Sequence, residues 1–199
     1  MSFLLDRHWL LTSTFYGNRL PGHTRGYVSR VERDGVPTIH NQIGSPLDHD
    51  EPAIESLARE RMREQAVRVD ASQASAILAQ FAETCRYRGW LLVAASVMSD
   101  HVHAVVSVPG DPRPGKILGD LKSYAAQSLN RTARRERWWT HRGSKRLLPT
   151  EAAVLAAAVY VRDQSGRLAY RSEADWEPFA ERHESLPEIG EYAPRLVDD

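Results

Sequence analysis

Met98-Ser99-Asp100-His101-Val102-His103 separates two apolar runs, 93–98 before it and 103–108 after it, and this stretch decides how the chain is read. Both runs read as buried strands, and Ser99-Asp100 reads as the turn that joins them into a hairpin. Side chains i and i+2 of a strand share a face, so His101 and His103 project together while Val102 turns toward the core. Two neutral imidazoles side by side offer a pair of ligands to a divalent cation. Taken alone, the same pattern equally describes a half-buried strand end with its polar residues toward water.

A second element lies near the end of a helix opened by Pro149-Thr150: Val159-Tyr160-Val161-Arg162-Asp163-Gln164. Residues four apart are neighbours on a helix surface, so Tyr160 and Gln164 are expected to stack on one face. Ala153, Ala156 and Ala157 point within about 60° of Tyr160 at 100° per residue. The ring is therefore expected to rise from an alanine floor with space beside it. A tyrosine lying across an amphipathic helix with its hydroxyl in water fits the same residues.

Taken together and in this order, with Tyr160 following His103 by 57 residues, the two elements resemble the HUH single-tyrosine transposases of small insertion sequences and their REP-associated relatives. Leu121-Lys122-Ser123-Tyr124 and Trp138-Trp139-Thr140-x-x-Gly143-Ser144-Lys145-Arg146, which lie between them, add to the likeness, which runs from about His8 to Gln164. Many members carry Pro-Asn before the first histidine; this chain carries Ser99-Asp100, which adds a carboxylate near the expected metal. The resemblance implies an α+β, ferredoxin-like fold, with a split β-α-β core, an antiparallel sheet, the His pair on a central strand and a C-terminal catalytic helix beside it. The activity it implies is DNA transposition through metal-dependent cleavage and rejoining of single-stranded DNA. Tyr160 would attack to form a 5′-phosphotyrosyl intermediate, and His101, His103 and Gln164 would hold Mg²⁺ or Mn²⁺, the imidazoles tilting the choice toward Mn²⁺. The expected partner is single-stranded or hairpin DNA, and a homodimer is left open.

Zero formal net charge over 199 residues argues against a nucleic-acid partner only until the charges are located. Between Arg113 and Arg146 there are ten basic residues against two acidic ones, whereas between Glu173 and Asp199 there are nine acidic residues against two basic ones. The first block contains Lys122, Arg134, Arg135, Arg137, Trp138, Trp139, Lys145 and Arg146, which together offer cations for phosphates and rings for bases. A solvated helix face and a pair of core-anchoring tryptophans are the alternative. Cys85 is the sole cysteine, so neither an internal disulfide nor a cysteine zinc cage can form. No run approaches the roughly 18 apolar residues of a membrane span. The opening Met-Ser-Phe-Leu-Leu-Asp-Arg-His places an acid where a signal peptide would remain apolar, so a cytoplasmic, nucleoid-associated protein is expected.

Along the chain, a β-rich run at 9–16 precedes a weakly periodic stretch at 20–69, expected to be a surface insertion. Asp70 is placed to cap a helix that ends at Gly89. A helix at 116–130, a last strand within 139–147 and the Tyr160 helix complete one domain over 1–170, followed by an acidic tail at 171–199 whose Trp176 and Phe179 suggest partial docking. His8, His23, His40, His49 and His183 lack metal-ligand spacing and are expected on the surface. Two rivals remain open: a domesticated module that binds single strands or hairpins without cleaving them, and a metal-dependent nuclease using activated water with Tyr160 as bystander.

Overall fold

Strand β5 (His101–Val108) is buried along nearly its whole length, so its alternating side chains must satisfy two different layers. Val102, Ala104, Val106 and Val108 enter one apolar cluster, and Val105 enters another on the opposite face of the sheet. The structure, a computed structural model, describes residues 5–20, 23, 30–33, 36–39, 52–181 and 186–187.

In chain order β1 (Arg7–Thr14) is followed by a small hairpin of β2 (Arg30–Arg33) and β3 (Val36–Ile39), then by helices α1 (Pro52–Glu60) and α2 (Ala71–Arg88). Then come β4 (Leu91–Val97), β5, α3 (Pro114–Leu129), β6 (Ser144–Leu147), α4 (Glu151–Arg162), β7 (Ala169–Arg171) and α5 (Glu177–Ala180). The main sheet runs β6-β1-β5-β4-β7, with every adjacent pair antiparallel. Within it, β1-α2-β4-β5-α3-β6 is the β-α-β-β-α-β arrangement of the ferredoxin-like fold. The α+β fold expected from the resemblance is thus the fold observed, with β7 added at the β4 edge.

Helices α2 and α3 cover one face, where Ile77, Phe81, Ile117 and Leu121 pack on Leu11, Leu92 and Val106. Helix α4 covers the other, where Val154, Leu155 and Ala158 pack on Leu10, Val93 and Val105. A bulge between Leu92 and Ala94 lets consecutive Val93 and Ala94 both face α4. Local chemistry sets the helix ends. Asp70 accepts from the Gln73 amide while the Gln73 side chain accepts from the Asp70 amide, and Gly89 closes α2 at φ 68°. Thr150 accepts from the Ala153 amide at the start of α4.

Several expectations shift. The end of the stretch at 20–69 is core rather than surface, since Val67 and Val69 are buried and their amides bond to Tyr16 O and Ser99 O. The described unit also runs past residue 170: β7 pairs with β4, and Trp176 is fully buried under α4 with the Arg162 guanidinium over its ring. The last strand is shorter than expected, because Trp139 makes only an isolated bridge to Phe15 before β6 begins at Ser144. The remainder of the insertion and most of the acidic tail, with His40, His49 and His183, lie outside the described residues. No helix among the described residues is long and apolar enough to cross a membrane.

Gly143 fixes how closely β6 approaches β1. A Cβ there would lie 2.5 Å from Thr12 O and 2.7 Å from Leu118 Cδ2, so a side chain must displace the strand. Gly143→Ala is expected to cost about 1–3 kcal/mol of stability, as overpacking does. A lowered denaturant midpoint at unchanged m-value checks this.

Candidate active site

One row of the sheet carries polar side chains across all five strands. Ser144, Thr12, His103, Ser96 and Tyr170 are successive register partners from β6 to β7, and the next row toward α4 has Arg146, Leu10 and Val105. The polar row meets the last turn of α4, where Tyr160 stands 38% exposed. Its ring lies edge-on to His103, with centroids 5.3 Å apart, and the His101 and His103 rings lie 4.9 Å apart. Both histidines and the tyrosine therefore meet at one place, the arrangement that the resemblance implies.

The imidazoles are held from behind. His101 Nδ1 donates to Asp100 Oδ1 at 2.5 Å, and His103 Nδ1 lies 2.7 Å from Thr12 Oγ1. That hydrogen bond holds the Asp100 carboxyl down at about 2, so the carboxylate is ionised and the proton belongs to His101 Nδ1. Burial above all, then the nearby charges of His101 and Arg19, lowers His103 to about 3 and keeps it neutral near physiological pH. Two rings anchored at Nδ1, each with its Nε2 turned away from that anchor, are a donor set that fits a divalent ion. Among the described residues, no group of three or more His, Cys, Asp or Glu could hold a metal ion.

Gln164 differs from expectation. Helix α4 ends at Arg162 with Asp163 as its cap, so Gln164 lies beyond the helix and its Nε2 donates to Tyr160 O at 3.0 Å. Its Oε1 takes no part in that bond. The alanine floor is likewise a packing face: Ala153 and Ala157 are fully buried against the sheet, and small side chains there let α4 sit close.

The basic block does not form one surface. Trp138 is 3% exposed with its Nε1 bonded to Asn130, and Trp139 stacks on Phe15 at 4.6 Å. Both belong to the α2/α3 layer, which corrects the expectation that they stack on bases. Lys122 Nζ donates to Thr140 O at 2.6 Å and reaches His141 O and Arg142 O at 3.4 Å. It clamps the loop before β6 rather than a phosphate, and burial, helped by Lys145, brings its amine down to about 8. Arg135 bonds to Gln65 O, lies 3.6 Å from Glu64 and covers the Trp138 ring. Arg134 and Arg137 are exposed. On β6 the side chains alternate, so Lys145, opposite Leu11, and Arg146, opposite Leu10, are directed to opposite faces.

Sequence reasoning missed Thr12, Arg19 and Arg68. Arg68 lies 3.6 Å from Asp100 Oδ2, and Arg19 has a left-handed backbone at φ 51° with its charge acting on Asp100 and His103. Only Thr12 left a trace in sequence, as a polar position at strand spacing in an apolar run.

Residues 58–144 match the family model described as "Transposase IS200 like". No curated protein matches the chain. Among solved structures, "Structure of the REP associates tyrosine transposase bound to a REP hairpin" is similar at a TM-score of 0.45 and 11% identity, covering 81% of this chain and 67% of that one. The family match includes His101 and His103 and stops before Tyr160. The resemblance first suggested by the His strand is thus met by a family match over residues 58–144, a little under half of the chain.

Proposed function

We propose that this protein cleaves and rejoins single-stranded DNA as a transposase, with Tyr160 as nucleophile and a divalent ion at His101 and His103. The observation that carries the reading is the meeting of Tyr160 with the Nδ1-anchored His103, beside His101, in the middle of the polar sheet row. The family match over the His strand agrees with it.

In this reading the phenolic oxygen of Tyr160 attacks phosphorus, the bond from phosphorus to the 3′-oxygen breaks, and the phosphate stays on the enzyme as a 5′-phosphotyrosyl ester. The phenol gives its proton to water and the released 3′-oxygen takes one up. Because the ester keeps the energy of the broken bond, a 3′-hydroxyl can attack it later and rejoin strands without a nucleoside triphosphate. A tyrosine hydroxyl ordinarily titrates near 10, so its attack needs electrophilic help. Mg²⁺ or Mn²⁺ bound at the histidines would supply it by polarising a non-bridging oxygen. Asp100 and Thr12 hold the two rings, and Gln164 Oε1, which its bond to Tyr160 O leaves unused, would complete the ligand set. The partial exposure of Tyr160 leaves its ring open to a strand.

Incubation with a single-stranded oligonucleotide copied from the DNA flanking this gene, hairpins included, should yield a covalent adduct. Tyr160→Phe should abolish it while leaving DNA binding intact, and Tyr124→Phe should leave it unchanged. Cleavage without an adduct would favour the water-activating nuclease, and binding without cleavage the domesticated module. Exposed Arg134 and Arg137 are the strand-binding cations of the basic block in this reading. Their joint replacement by Gln is expected to lower the log-log salt slope of binding by about 1.4, at about 0.7 per phosphate contact. Arg135→Gln should instead lower stability, because its partners are Glu64 and Gln65.

A further inference from the structure

Arg146 stands apart from the rest of the basic block. It is the register partner of Leu10, whose side chain belongs to the α4 layer, so β6 directs Arg146 to the face that carries His103 and Thr12. It is partly buried there. Burial on that face lowers its proton affinity, and Tyr160 lies within electrostatic reach of it. Its strand is held firmly: Gly143 abuts Thr12 O, and Lys122 clamps the carbonyl oxygens of 140–142 just upstream.

We propose that Arg146 is a catalytic residue of this site, binding the scissile phosphate beside Tyr160. The proposal rests on the reading of Tyr160 as nucleophile. A guanidinium presents two parallel N–H groups that match two non-bridging phosphate oxygens, and the strand that carries it is held in place before substrate arrives. As the Tyr160 oxygen bonds to phosphorus and the 3′-oxygen leaves, negative charge builds on those same oxygens. A donor fork already in place stabilises that charge more than it stabilises the bound strand. The His pair would then address the phosphate from one side of the Tyr160 ring and Arg146 from another.

The test uses the full chain and the oligonucleotide on which the wild type forms its adduct, with the cleaved position mapped from that adduct. Arg146→Gln is expected to slow single-turnover adduct formation about 100-fold, the usual effect of removing one such donor, while weakening binding less than about fivefold. Arg146→Lys, which keeps the charge and most of the stem, should recover part of the rate but not all. In the Tyr160→Phe background, a neutral methylphosphonate at the mapped position should weaken binding with Arg146 present and have a smaller effect in Arg146→Gln. A rate within threefold of wild type in Arg146→Gln overturns the proposal. So does an equal loss of rate and binding with the methylphosphonate penalty unchanged, which would make Arg146 a backbone contact elsewhere. If the wild type forms no adduct at all, the reading of Tyr160 falls first and takes this one with it.

Discussion

A central strand with apolar layers on both faces has no solvent side, and that constraint on β5 organises the molecule. Period-two alternation commits Val102, Ala104, Val106 and Val108 to the α2/α3 layer and leaves His101, His103 and Val105 for the layer under α4. Two imidazoles in that second layer must find partners or sit unpaired in an apolar space. Thr12 on β1 meets one and Asp100 in the hairpin turn meets the other. The turn is itself pinned, with Asp100 O accepting from Phe15 and Ser99 O from Val69. The site is thus a consequence of where the sheet stops being apolar, at the row where α4 runs out and Tyr160 begins to see solvent.

Much of this was legible from local chemistry. The caps at Asp70, Gly89 and Thr150 involve residues within four positions of each other, and a hairpin joining two apolar runs needs no distant information. The His pair could be read because strand periodicity is strict, and Tyr160 because its ring falls in the last turn of a helix with a clear start. Gln164 was misplaced for a related reason. The helix ends two residues before Gln164, and its side-chain amide then satisfies the Tyr160 carbonyl that its backbone N–H would have bonded in a longer helix.

What the sequence hid depends on distant partners. Trp138, Trp139 and Lys122 sit in a basic stretch and look like a nucleic-acid surface, yet their neighbours Phe15, Asn130 and the 140–142 carbonyls make them structural. Alternation on β6 separates Lys145 from Arg146, although they are adjacent in the chain. Trp176 was assigned to the tail because only the tertiary fold shows that α4 needs a cover. Arg19 and Arg68 come from a stretch without periodicity, and nothing local announces that they flank Asp100.

That a metal and the nucleophile share one site is open to direct measurement. With ¹⁹F-labelled tyrosine, Mn²⁺ added in substoichiometric amounts should broaden the Tyr160 resonance before those of the other tyrosines, and the combined His101→Ala and His103→Ala changes should abolish that selectivity. Selective broadening that persists without both histidines, or broadening that spares Tyr160 in the intact protein, would contradict the shared site.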